Sequence, residues 1–276
     1  MASTLTRARI ATLVIAGPSD RLSEALDSVG ASEEDAGSLH IVCISTGGTG
    51  GGALHPRPDI VAIEGLRPEY VNNAIAAVRL SSLPTVVWWR GGSPEGVDGV
   101  ARLADRVVMD VEDPWPLWPR TPPLFEQAAI TDIRWARLTR WRAAMAHFFD
   151  LSHIQQAASS FVRLSIVGHD RAQCALFAGW LDAALDWKGR VAPACEPGKS
   201  GVPMESVTLA GDAGQLRLQL LPDSSCLDTR ASIGDDVLAS RVVSLGDQSL
   251  RALLAEELRV RSRDLAFERA LERALR

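Results

Sequence analysis

Lysine is nearly absent from this chain. Among 276 residues only Lys188 and Lys199 are lysines, every other basic position is an arginine, and Tyr70 is the one tyrosine. The net charge is −5, so the basic surface that a nucleic-acid binder or a polybasic membrane anchor needs is missing, and neither partner is expected. Cysteine is scarce as well: Cys43, Cys174, Cys195 and Cys226 stand far apart with no CxxC pair. That spacing argues against a zinc cage or a thioredoxin-like motif and predicts free thiols in a reducing compartment. No run of about 18 apolar residues occurs, and the N-terminus lacks a basic flank ahead of an apolar core, so a cytoplasmic location is expected.

Catalytic signatures are missing too. His40, His55, His147, His153 and His169 show no metal spacing, and there is no GxSxG elbow. Gly198-Lys199-Ser200 has the end of a phosphate loop, but the first glycine of that motif would fall on Pro193. The glycine run Thr46 to Gly52 follows an apolar run yet leads into Ala-Leu-His-Pro-Arg-Pro, not into a helix whose N-terminus would hold a phosphate, so a flexible loop is expected. No catalytic residue, metal ligand or cofactor is assigned.

What is present is a succession of strand-like and helix-like segments. Apolar runs at Arg9–Ala16, Leu39–Ile44, Asp59–Ile63, Pro84–Trp89 and Arg106–Val111 alternate with helix-length stretches at Asp20–Val29 and Pro68–Leu80. This predicts an α/β domain with a mostly parallel sheet flanked by helices. Residues 113–123 hold five prolines with Trp115 and Trp118, a loop expected to pack its indoles against the domain. Beyond a strand at Phe161–Val167 and a helix at Ala172–Leu185, a Gly/Pro-rich connection spans Lys188–Pro203. Short alternating runs at Val207–Leu209 and Gln215–Leu220 predict antiparallel strands, Arg230–Leu245 is ambiguous, and Ser249–Arg276 reads as two helical stripes. The second half is therefore a smaller C-terminal α+β domain with antiparallel strands and a terminal helix. The expected division is 1–127, a central bridging helix at 128–155, and 156–276.

That central segment, Thr131 to Asp150, is the densest in the chain. At 100° per residue Trp135, Leu138, Trp141, Met145, Phe148 and Phe149 share an apolar sector, with Arg137, Arg140 and His147 opposite. Thr131 or Asp132 is the expected N-cap. Arg142 falls inside the apolar sector, where a guanidinium must snorkel, pair with a carboxylate or reach a partner. The pair Trp88-Trp89, followed by Arg90, closes a predicted parallel strand, where α/β domains bind ligands.

Three stretches, Pro84–Gly96 (PTVVWWRGGSPEG), Ile130–Ala143 (ITDIRWARLTRWRA) and Leu253–Arg259 (LLAEELR), together resemble the OpcA-type glucose-6-phosphate dehydrogenase assembly proteins, in the family's order. The run W-x-R-L-T-x-W-R carries the likeness. Arg140 replaces a proline usual before its second tryptophan, and Arg90 a proline or alanine usual after the paired tryptophans. The resemblance implies a non-catalytic partner of glucose-6-phosphate dehydrogenase that promotes its oligomeric assembly and raises its activity in the oxidative pentose phosphate pathway. Its contact surface is then expected among Trp88, Trp89, Arg90, Trp135, Arg137, Arg140, Trp141 and Arg142, aromatic anchors ringed by arginines. The alternative is a small-molecule-binding or enzymatic α/β protein, with a sugar phosphate or nucleotide near Trp88 and Gly47–Gly52.

Overall fold

The computed structural model describes residues 10–30, 39–47, 60–199, 201–223, 225–260 and 262–276. Of the predicted glycine loop, positions 48–52 lie outside these residues. The chain divides into two compact units, Met1–Ile133 with Ser249–Asp264, and Arg134–Gln248 with Leu265–Arg276.

The first unit is built on a parallel sheet of β1 (Ala11–Pro18), β2 (Leu39–Thr46), β3 (Ile60–Leu66), β4 (Thr85–Trp89), β5 (Arg106–Met109) and β6 (Ala129–Asp132), in the order β3-β2-β1-β4-β5-β6. Central strands covered on both faces need side chains that tolerate burial in either direction. Leu13-Val14-Ile15-Ala16 and Thr85 to Trp89 are accordingly buried without alternation. Helix α1 (Ser19–Gly30) buries Leu22, Ala25, Leu26 and Val29, the spacing its sequence predicts. Helices α2 (Val71–Val78) and α3 (Gly96–Ala101) complete the N-terminal part. Later in the chain α8 (Leu250–Arg259) returns to this unit, with Ser249 Oγ accepting from the Ala252 N–H at 3.3 Å as its N-cap.

The second unit opens with α4 (Ile133–Arg137), whose first residue belongs to the preceding unit, α5 (Thr139–Phe148) and α6 (Ser152–Gln156). Its mixed sheet runs β12-β11-β10-β9-β7-β8, from β7 (Phe161–Gly168), β8 (Pro193–Pro197), β9 (Ser206–Gly211), β10 (Gly214–Leu220), β11 (Cys226–Ile233) and β12 (Asp236–Ser244). Only β7 and β8 pair in parallel. Helix α7 (Arg171–Ala184) packs against α9 (Leu265–Ala274), and a Cβ at Gly179 would lie 2.2 Å from the Ala270 carbonyl oxygen. That contact distance leaves room for glycine alone.

The α/β class and the terminal helix thus stand, and several local expectations are corrected. Thr131–Asp150 is not one helix. Thr131 and Asp132 end strand β6, where the β-branched pair Ile130-Thr131 suits a buried strand position, and Asp132 immediately precedes Ile133, the first helical residue. The helical part breaks at Leu138 without proline or glycine. There the Trp135 carbonyl accepts from both the Leu138 N–H at 3.2 Å and the Arg142 guanidinium at 3.4 Å, a side chain entering the helical ladder. The Lys188–Pro203 connection contains β8, which has little apolar content and is exposed throughout. The ambiguous stretch Arg230–Leu245 is most of the β11–β12 hairpin, turned at Gly234 with φ of 55°. Trp118 is buried as expected, but Trp115 is 41% exposed. Among the described residues no helix is long and apolar enough to cross a membrane.

Candidate functional site

In the first unit the strand order reverses between β1 and β4, and the carboxyl ends of those strands flank the crevice where doubly wound sheets take ligands. Trp88, Trp89 and Arg90 stand there, all three buried. The Arg90 N–H donates to the Ala16 carbonyl at 2.7 Å, extending the ladder past β4. Its guanidinium donates to the Arg21 carbonyl at 2.6 Å and to Glu24 Oε2 at 2.8 Å on α1. Its Nε lies 2.9 Å from Asp110 Oδ2, paired as charges without hydrogen-bond alignment. The same group sits 4.9 Å from the centre of the Trp88 ring. A Cβ at Gly17 would come within 3.0 Å of Arg90 Cβ, so the arginine's passage favours glycine at this position, one before the end of β1. Trp89 supports the following loop, since Cβ atoms at Gly92 and Gly96 would fall 2.6 and 2.8 Å from its indole.

The first unit holds a second buried cluster that sequence reading did not single out. Arg106 on β5 meets Glu257 on α8, and Thr131 Oγ1 donates to the same carboxylate oxygen at 2.6 Å. Burial pushes the Glu257 carboxyl up, opposed by the Arg106 charge and the Thr131 hydroxyl.

In the second unit Trp135 and Arg142 come together, with the guanidinium carbon 3.5 Å from the indole centre. Arg142 also donates to Thr139 Oγ1 at 3.4 Å. The other edge of Trp135 meets Phe267 of α9 at 5.7 Å between centroids. Trp141 is buried, Arg142 and Arg137 are half-buried, and Arg140 is exposed. Arg137 and Trp141 line a cavity of about 320 Å³ with Gln173, Pro203, Met204, Leu245 and Gln248. The 202–205 loop forms part of its wall because the His169 and Asp170 N–H groups donate to Val202 and Pro203, and the Glu205 N–H to Val167. Asp170 caps α7 through the Ala172 and Gln173 N–H groups and also meets Arg134 Nε at 2.8 Å. The cavity residues other than Arg137 and Trp141 were missed in the sequence, since Gln173, Met204 and Gln248 share no motif or period. Among the described residues no group of three or more histidine, cysteine or carboxylate side chains is arranged to hold a metal.

Residues 128–271 match a family described as the C-terminal domain of the glucose-6-phosphate dehydrogenase subunit. The chain belongs to this OpcA family. A provisionally named OxPP cycle protein OpcA of Nostoc punctiforme is 24% identical over 247 residues, covering 74% of this chain and 53% of the relative. One from Synechocystis sp. is 30% identical over 129 residues, 43% of this chain and 27% of its own. This OpcA chain therefore spans about half the length of the relatives it matches, or less. Among solved structures, the 3-ketoreductase KijD10 of Actinomadura kijaniata, in complex with NADP and TDP-benzene, superposes with a TM-score of 0.56 at 10% identity over 96% of this chain and 95% of the other. That likeness shows the fold alone.

Doubly wound sheets that take a dinucleotide in such a crevice carry a glycine fingerprint in the first βα turn. The β1–α1 turn reads Gly17-Pro18-Ser19-Asp20-Arg21-Leu22. It keeps the first glycine of G-x-G-x-x-G and replaces the others by serine and leucine. Pro18 offers no N–H, and Asp20 places negative charge in the first turn of α1, where a pyrophosphate would bind. Arg90 spans from β4 to that turn, and the cavity of about 430 Å³ left beside it is lined by Asp20, Glu112 and Asp113 among others. β2 ends in Ile44-Ser45-Thr46, without a carboxylate for a ribose. These residues do not fit a dinucleotide.

Proposed function

We propose that this OpcA chain is a non-catalytic assembly factor and activator of glucose-6-phosphate dehydrogenase, acting in the oxidative pentose phosphate pathway. The observation that carries the reading is the segment matched to the family, which contains the W-x-R-L-T-x-W-R run. The buried members of that run hold the fold. Its Arg137 and Arg140 reach solvent with no acidic partner among the described residues, the condition for charged groups that serve another protein. Trp88, Trp89, Arg90, Trp135 and Trp141 act through the fold, Arg142 stacks at its rim, exposed Arg140 makes the contact, and half-buried Arg137 borders it. Activation requires tighter binding to the active conformation or oligomer of the enzyme than to the inactive one, since equal affinity shifts nothing.

The competing enzymatic reading relied on an open site at the strand ends, and the packed Arg90 there supports the non-catalytic one. Mixing the purified chain with its cognate dehydrogenase, and following turnover, substrate affinity and mass by light scattering, tests the proposal. A larger assembly with higher activity is expected, and Arg140→Glu should weaken both effects at unchanged melting temperature. Unchanged mass and rate in the wild-type mixture would sink it.

A further inference from the structure

The cavity beside Trp141 is bordered by two polar groups that no described residue satisfies. Arg90, Arg106, Arg120, Arg134 and Arg273 each meet a carboxylate, and Arg142 stacks on Trp135. Arg137, half-buried in the cavity wall, meets no acidic or hydrogen-bonding partner among the described residues. Gln173, 3% exposed in the same wall, leaves its side-chain Oε1 without a partner. A half-buried cation and an unsatisfied amide are each costly, and both border one cavity.

We infer that this cavity is a binding site for a small organic anion that also carries hydroxyl groups, a sugar phosphate or a hydroxy acid. Arg137 donates to the phosphate or carboxylate. A ligand hydroxyl donates to Gln173 Oε1, whose terminal amide turns within its broad torsional well to meet it. Trp141, Met204, Leu220 and Leu245 face the ligand's carbon skeleton. The volume, about 320 Å³, is at the small end of ligand pockets, which run from about 300 to 1,000 Å³. The N-terminus of α7 does not compete for the anion, because Asp170 already occupies its Ala172 and Gln173 N–H groups. A protein surface would reach exposed Arg140 but not the enclosed Gln173 amide, which favours a small molecule. The site requires no dehydrogenase and goes beyond the assembly role.

The test is calorimetric titration of the full chain, without the enzyme, using glucose 6-phosphate, ribose 5-phosphate and citrate, with glucose and inorganic phosphate as half-ligands. At least one of the three should bind about tenfold or more tightly than either half-ligand. Arg137→Gln should weaken that binding by roughly 10- to 100-fold, the range expected for one charge-assisted contact. Gln173→Met, of similar length but with no acceptor for the ligand hydroxyl, should weaken it as well, while both variants keep the unliganded melting temperature within a few degrees. The inference fails if none of the three binds better than inorganic phosphate, or if both substitutions leave the affinity unchanged. Loss of enzyme activation in Arg137→Gln with no binding of the three probes would assign the cavity to a protein contact instead and overturn the small-ligand reading.

Discussion

The guanidinium carbon of Arg142 sits 3.5 Å from the centre of the Trp135 ring, across the break at Leu138. The arginine that periodicity placed on the apolar side is held there by an indole face and by the Trp135 carbonyl. Removing Arg142 therefore removes a stacking contact and one of the two donors to that carbonyl, which keeps the Leu138 N–H. Arg142→Ala should cost about 1–2 kcal/mol in urea unfolding. Arg142→Lys should recover less than half, because an ammonium lacks the planar face. A double-mutant cycle with Trp135→Leu measures the pair directly, and a coupling near zero would contradict the stack.

Arg90 and Asp110 close the ligand crevice of the first unit from neighbouring strands. Arg90→Ala takes away the cation 2.9 Å from buried Asp110, whose pairing to Arg21 is longer, at 3.7 Å. The expected loss is about 3–5 kcal/mol, the range for breaking a buried pair by removing one partner. Gly17→Ala should also destabilise, by forcing a Cβ toward Arg90 Cβ. Wild-type protein titrated with NADPH should show no protein-dependent fluorescence change or thermal shift, and a micromolar Kd would refute the closed crevice.

Arg106 and Glu257 present the same balance in deeper burial, at 3% and 5% side-chain exposure. Glu257→Ala should cost about 3–5 kcal/mol, whereas Arg106→Met combined with Glu257→Leu should recover most of that loss. Chemical denaturation of the three proteins decides the matter; a double variant no better than the single would show that the pair contributes more than its own compensation.

Cys43 and Cys174 are both pushed up to about 12 by burial. A thiol that ionises less readily folded than unfolded favours the fold fully below its ordinary value near 9, and that contribution is lost as pH climbs towards 12. With two lysines and one tyrosine in the chain, few other groups titrate in that window. Stability should decline between pH 9 and 12, and Cys43→Ala with Cys174→Ala should flatten the decline. At pH 8 a thiol reagent should modify Cys195 and Cys226 quickly and the buried pair only after unfolding.

The sheet of the first unit was legible because its strands are buried on both faces and print themselves as unbroken apolar runs. Strand β8 was not, since Pro193-Ala-Cys-Glu-Pro197 has neither an apolar run nor an alternating pattern and is placed by pairing to β7. Thr131–Asp150 shows the limit of periodicity: its apolar sector is real, yet β6 is fixed by register with β5, information that lies outside the segment. Arg142 was recognisable as anomalous but not its resolution, because Trp135 was counted as core when it is also a stacking partner. The Gln173 cavity left no linear signal, as its walls come from five separated stretches.

One consequence concerns where such a polypeptide can be cut. The stretch matched to the family, 128–271, includes Ala129–Asp132 and Ser249–Asp264, which belong to the first unit. A fragment of that stretch would carry a sixth strand without its sheet and a helix whose Leu253 and Leu254 have lost their cover. The backbone passes between units at 133/134, 248/249 and 264/265, so no single nick releases either one. Common ancestry is readable over one span, while foldability requires pieces from both sides of its boundary.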